Sequence, residues 1–436
     1  MSQADHPQLV RVIGRWSLAG LMINTIVGSG VFGLPSVVAG LLGRGSTWAV
    51  LIAGGAVGIV IACFAEVASR FTAAGGPYLY ARAAFGRLVG IEVGWMFWLA
   101  RLTAPAANAN LFVTYLGEFW PRAVQPMPRF AILTLLIGVL VVINLKGVGA
   151  GTQISNFFTL AKLLPLFFIA GCGAFYLAVH AKPPAPSPQA AGIDAWLRAV
   201  LLLVFAYGGF EGALIPMSEA KNPRRDAAFG LFAALITCTL LYAAIQFVVV
   251  GVLPDPAKSV RPLADVAKIV LGSAGAIVVT LAALVSTYGA ISANTVSVPR
   301  ITFAFAESGD LPSIFSAVHP TFRTPYVSIL VFGVLTWLLA LLGNFSWNVT
   351  LSALARLFYY GLVCAALLVL RRKQAGAASL QLPAGSLFAV LGIITCLLLV
   401  TRVDLSGSLI LLGIVAIALL NWAIVRTRQP LEKSAI

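Results

Sequence analysis

Between Ile26 and Pro35 the chain reads IVGSGVFGLP, three glycines and a proline inside an apolar run, and Tyr207-Gly208-Gly209-Phe210-Glu211-Gly212 repeats the device far downstream. The chemistry these residues offer is that of the backbone. A helix opening at Ile26, Val27 and Gly28 and restarting at Ser29 and Gly30 would present unpaired N–H groups and the positive end of its dipole, which suit a carboxylate. Ser29 adds a hydroxyl donor. A helix ending at Gly208 and Gly209 strands the carbonyls of Phe205, Ala206 and Tyr207, which are acceptors for an ammonium group. Together the two sets match the charged groups of an α-amino acid and leave side-chain choice to walls such as Phe205 and Asn294. Glycines at 28, 30 and 33 also suit close helix packing of the GxxxG kind; the matching second interruption weighs against that alternative.

Arg101, Lys162 and Arg356 fall inside apolar runs, where a charge is costly and marks a pathway or a buried partner. Burial disfavours the charged form of an amine, which suits Lys162 to proton coupling; a permanently charged structural lysine is the alternative. Glu211, directly after the second interruption, fits a structural partner for a cation such as Arg101. Arginine keeps its charge, so an Arg101 in the pocket wall argues against a cationic substrate. Glu66 beside Arg70 and Glu219 beside Lys221 read as salt bridges at segment ends.

The elements that must position these residues are membrane spans. Hydrophobic residues make up 60% of the 436 and charged ones 10%, against about 25% charged in a soluble domain, and the mean hydropathy is +0.97. Apolar runs able to cross about 30 Å of hydrocarbon lie at 17–38, 48–71, 90–116, 130–147, 154–179, 196–217, 227–252, 274–305, 326–342, 348–370, 385–402 and 406–425. They predict an all-α polytopic protein with twelve helices in a lipid bilayer. The first run leads into the interrupted stretch without a cleavage-type site, so it reads as a span. An even number of crossings puts both termini on one side, and loops on that side hold most of the cations, including Arg82, Arg87, Arg371, Arg372 and Lys373. Both termini are therefore predicted to be cytoplasmic. The net charge of +15 reads as topology, because no basic stripe interleaved with aromatics points to nucleic acid.

One transmembrane domain is expected over 1–426, with 427–436 a cytoplasmic tail. The Pro-rich connector at 182–188 joins segments five and six and divides the domain into 11–180 and 190–373, leaving two further helices in 385–426. The interrupted first and sixth segments would open these halves in opposite orientations, the arithmetic of an inverted repeat. Cys63, Cys172, Cys238, Cys364 and Cys396 lie in apolar runs without CxxC spacing and read as buried thiols. His6, His180 and His319 form no ligand cluster, and no GxxxxGK[ST] loop occurs. No metal, cofactor or enzymatic site is implied.

Four stretches carry a family resemblance: IVGSGVFGLP, FAEVASRFTAAGGPYLYARAAFG at 64–86, FAYGGFEGALIPMSEAKNPRR at 205–225 and PRITFAFAESGDLP at 299–312. In content and order they resemble motifs of the amino acid/polyamine/organocation permeases, from about residue 11 to residue 373. The resemblance implies a LeuT-type fold of five plus five inverted helices, with helices one and six broken and helices eleven and twelve peripheral. It implies secondary transport of amino acids or related amines across the plasma membrane, here a bacterial inner membrane. Phe205 then takes the place of an aromatic gate, and Glu211 that of a gating or pH-sensing carboxylate. Lys162 resembles the helix-five lysine of proton-coupled permeases and several exchangers, which implies an ammonium against helices one and eight, beside the carbonyls of Ile26 to Gly28, where sodium-coupled relatives hold sodium. Arg101 and Arg356 match no substrate position of the family. The expectation is proton-coupled uptake of a neutral L-amino acid, with obligatory exchange as the alternative and a non-transporting amino-acid-binding protein as a further one.

Overall fold

A computed structural model describes residues 14–71, 75–147, 152–180, 191–214, 223–373, 378 and 380–426. The Pro-rich connector, Glu219, Lys221 and the tail at 427–436 lie outside them. The described residues form helices and connecting loops, with no β-strand among them. Eight described stretches are long and apolar enough to cross a membrane: Ser29–Ala68, Pro126–Leu145, Lys162–Val179, Ile193–Gly212, Asp226–Val252, Pro262–Glu307, Phe345–Lys373 and Leu405–Val425. Large apolar side chains such as Leu135, Leu164, Phe175, Leu240 and Leu412 stand exposed on the outer faces. That surface suits hydrocarbon and would be an aggregation liability in water.

The helices at the centre of the bundle are short. α1 (Arg15–Ile26) ends where Val27 turns extended and Gly28 takes φ −136° and ψ −144°, and α2 (Ser29–Leu42) follows. Downstream, α8 (Ile193–Tyr207) ends at an extended Gly208, and Gly209 at φ +115° leads into α9 (Phe210–Ala213). Longer helices enclose these pieces, in chain order α3 (Ser46–Ala68), α4 (Gly76–Phe85), α5 (Arg87–Leu116), α6 (Pro126–Leu145), α7 (Thr152–Val179), α10 (Pro223–Val252), α11 (Pro262–Glu307), α12 (Tyr326–Leu342) and α13 (Phe345–Lys373). α14 (Gly385–Val400) and α15 (Leu405–Val425) close the described chain. α5 packs on both α11 and α13, while α10 packs on α1 and α3, so the interrupted helices sit inside a wall of continuous ones.

Two features depart from the segments drawn on hydropathy. α4 occupies part of what reads as a loop, because its ten residues are too few for a span and mix Arg82 with its apolar positions. α11 begins at Pro262, ahead of residue 274, and bends at Gly272, where φ is +73° and ψ −166°.

The interrupted pieces meet through glycine. A Cβ on Gly209 would stand 2.3 Å from the Thr25 carbonyl oxygen, and one on Gly30 would stand 2.8 Å from the Ala206 Cα. Backbone does not yield as a flexible side chain does, and a left-handed φ adds strain for any residue with a Cβ. Gly209→Ala is therefore expected to cost about 1–3 kcal/mol or more, read as a fall in melting temperature of the detergent-purified protein. Gly20→Ala, in α1 with nothing within 4 Å of its Cβ, is expected to be neutral or slightly stabilising.

Candidate functional site

Helix termini release backbone groups, and here buried side chains take them up. The Lys162 ammonium, on α7, donates to Asn24 O at 2.6 Å and to Val27 O at 2.7 Å. Both carbonyls belong to the end of α1, where a cation also meets the negative end of the helix dipole. The neighbouring Ile26 O lies 3.3 Å from the Tyr242 hydroxyl of α10, which lies 3.3 Å from Ala206 O as well. A hydroxyl has one proton to give, so Tyr242 serves one break at a time while touching both.

On the other side of the first break, Ser29 N donates to Asn108 Oδ1 at 3.1 Å, and Asn108 is held by its own donation to Ala104 O. The first of the α2 amides offered to a carboxylate thus has a protein acceptor already. The Ser29 hydroxyl is buried without a hydrogen-bond partner among the described residues. At the second break Gly208 N donates to Phe205 O at 3.1 Å, so Phe205 O and Ala206 O each have a donor nearby and keep a second lone pair. The Phe205 side chain is buried.

Glu211, fully buried in α9, accepts from four directions. Its Oε1 takes Arg356 Nη1 at 2.6 Å and the Tyr359 hydroxyl at 2.9 Å; its Oε2 takes Gly209 N at 2.9 Å and the Tyr360 hydroxyl at 3.2 Å. The cation bonded to Glu211 is thus Arg356 of α13, whereas Arg101 of α5 donates to Asn294 Oδ1 of α11 at 3.3 Å. Both guanidiniums lie over glycines of the second break: a Cβ on Gly208 would meet Arg356 Nη1 at 1.9 Å, and one on Gly212 would meet Arg101 Nη2 at 1.9 Å.

Ile26, Val27, Gly28, Ser29 and Gly30 therefore lie against Phe205, Ala206, Gly208 and Gly209, with Lys162 behind the first group and Glu211 behind the second. Arg101 and Asn294 form a separate pair beside α9. Asn108, Tyr242, Tyr359 and Tyr360 were not among the candidates. Three of them carry a readable signal, Asn108 as an amide inside an apolar span and Tyr359 and Tyr360 as a tyrosine pair one helical turn from an intramembrane arginine. Among the described residues no group of three or more His, Cys, Asp or Glu could hold a metal ion.

Farther along the bundle two carboxylates tie helices together. Glu66 of α3 pairs with Arg70 at 3.0 Å and Arg371 at 2.5 Å and accepts from Leu382 N at 3.0 Å. Asp310, after α11, accepts from Arg82 and Tyr78 of α4 and from Arg87 at 2.7 Å, while its carbonyl takes Asn421 of α15 at 2.7 Å.

A family model described as amino acid permease matches residues 13–421, nearly the whole chain. The chain belongs to the amino acid permease family. Among its relatives are the methylthioribose transporter of Bacillus subtilis, 27% identical over 396 residues that cover 86% of this chain and 84% of that protein. The branched-chain amino acid permease BcaP of Bacillus subtilis is 28% identical, over 85% of this chain and 83% of its own length. The arginine/agmatine antiporter of Chlamydia pneumoniae is 27% identical, over 78% and 74%. These relatives are transporters, not enzymes, and the permease is a multi-pass membrane protein.

Removing one member of a buried ion pair leaves a charge without its partner, at about 3–5 kcal/mol. Arg356→Gln in this permease is expected to lower thermal stability by that order. Glu211→Gln combined with Arg356→Gln should recover a large part of it, and a double-mutant cycle of melting midpoints in detergent reads the coupling.

Proposed function

We propose that this permease is a secondary active transporter that moves an amino acid across the plasma membrane by alternating access, with protons as the coupling ion. The reading takes the architecture as twelve helices in a LeuT-type arrangement of inverted five-helix repeats, helices one and six being α1–α2 and α8–α9. The substrate's carboxylate is set toward the start of α2 and its ammonium toward the carbonyls at the end of α8. The observation that carries the proposal is the Lys162 ammonium bound to Asn24 O and Val27 O at the end of α1. A fixed cation there opposes a sodium ion, and loss of its proton would release two charge-assisted bonds and bias the helix pair between facing states.

The relatives' names cover methylthioribose, branched-chain amino acids and arginine or agmatine, so family membership leaves the side chain open. The sequence favours a neutral L-amino acid over arginine or a polyamine. Arg356 paired with Glu211 and the Arg101 guanidinium set over Gly212 of the same helix support the exclusion of a distal cation. Exchange is the second reading, favoured by the relative named as an antiporter; counterflow in liposomes with labelled amino acids separates it from net uptake.

Uptake in proteoliposomes between about pH 5 and about pH 8, with and without sodium, tests the coupling. Wild type is expected to respond to pH and not to sodium. Lys162→Ala should stay folded with the pH response lost or turnover slowed, and Lys162→Arg should not restore it, because arginine does not release its proton in this range. Strict sodium dependence of the wild type would remove the proposal.

A further inference from the structure

Arg101 is 8% exposed, and its guanidinium is only partly used. Nη1 donates to Asn294 Oδ1, and the Phe97 ring lies with its centroid 5.1 Å from Cζ. Among the described residues Nε and Nη2 have no hydrogen-bond acceptor. These two nitrogens form one edge of the guanidinium plane, whose parallel N–H bonds match the two oxygens of a carboxylate. Their absence of partners does not trace to a misplaced acid, because both oxygens of Glu211 are taken by Arg356, Tyr359, Tyr360 and Gly209 N. The groups facing Arg101 are thus Phe97 on its own helix, Asn294 on α11, Glu211 on α9, and Arg356, Tyr359 and Tyr360 on α13. They sum to one carboxylate against two guanidiniums. A buried charge left over in this way is strongly unfavourable unless an opposite charge joins it.

Arg101 stands seven residues before Asn108 on α5, two turns away and on the same face, at about 10 Å along the axis. Asn108 holds the first amide of α2, where the proposed reading sets the substrate's α-carboxylate. One face of α5 therefore carries a contact to that amide and, two turns away, a double donor without an acceptor among the described residues.

We infer that the substrate bears a second anionic group, a side-chain carboxylate taken by Nε and Nη2 of Arg101, so that the permease prefers a dicarboxylic amino acid. This rests on the reading of the two breaks as the amino-acid site. It replaces the neutral side chain expected from sequence with an acidic one, since an uncharged side chain leaves both donors unmet. An inorganic anion offers similar chemistry and is an arm of the test.

Equilibrium binding to the full-length protein in detergent is compared for aspartate against asparagine and glutamate against glutamine, pairs nearly equal in shape that differ in charge. Each is measured in chloride and in gluconate. The acid is expected to bind more tightly than its amide by about tenfold or more, in either salt, and Arg101→Gln is expected to abolish that preference while amide binding persists. Amides binding as tightly as the acids would overturn the inference. So would amide binding that needs chloride in the wild type and not in Arg101→Gln, which gives the guanidinium to an inorganic anion. If Arg101→Gln does not fold, the wild-type acid-to-amide ratio and its salt independence decide. Absence of binding by every amino acid would instead defeat the underlying site reading.

Discussion

Backbone groups released inside a hydrocarbon-facing protein must be satisfied by the protein, and each missing partner costs several kcal/mol. The centre of this permease is organised around that requirement. Lys162 takes the carbonyls of Asn24 and Val27, Tyr242 stands between Ile26 O and Ala206 O, Asn108 takes Ser29 N, and Glu211 takes Gly209 N. Four side chains from four helices converge on two short stretches of irregular chain. Lys162, Tyr242 and Asn108 reach inward from the long surrounding helices α7, α10 and α5, while Glu211 sits on the short α9 of the second break itself.

The glycines of the second break have two physical consequences. Gly209 gives the chain its left-handed turn, while Gly208 and Gly212 leave room for the guanidiniums of Arg356 and Arg101, either of which any Cβ would displace. Backbone geometry and electrostatics are therefore set by the same residues. A buried ion pair such as Glu211 with Arg356 adds little net stability over a well-packed apolar substitute. Together with the Tyr359 and Tyr360 hydroxyls it holds a four-residue helix, too short to persist alone, against α13 through both oxygens of Glu211.

Much of the membrane character was legible from sequence, since hydropathy over windows of about twenty residues is a strong signal. Lys162 and Glu211 could be singled out because ionisable residues in apolar runs are rare. Partners were another matter. That Glu211 meets Arg356, 145 positions away, depends on how α9 and α13 pack, and no local pattern encodes it. Tyr242 is hidden for a related reason: a phenol inside a span reads as neutral filling until the backbone groups opposite it are known, whereas the amide of Asn108 signals a polar role without naming its partner. α4 was passed over because ten residues give no span-length signal, and the bend of α11 because one glycine among apolar neighbours does not distinguish a kink from a straight helix.

The contacts of Gly209 with Thr25 and of Gly30 with Ala206 have a mechanical meaning. Two irregular segments touching backbone to backbone, with Tyr242 spanning both, cannot slide past one another without first pulling apart. They form a single stiff knot of chain. On the proposed reading, a rearrangement that keeps these contacts while exposing one face of the protein and then the other bends elsewhere, so the bound molecule would travel in an unchanging grip while the walls around it tilt.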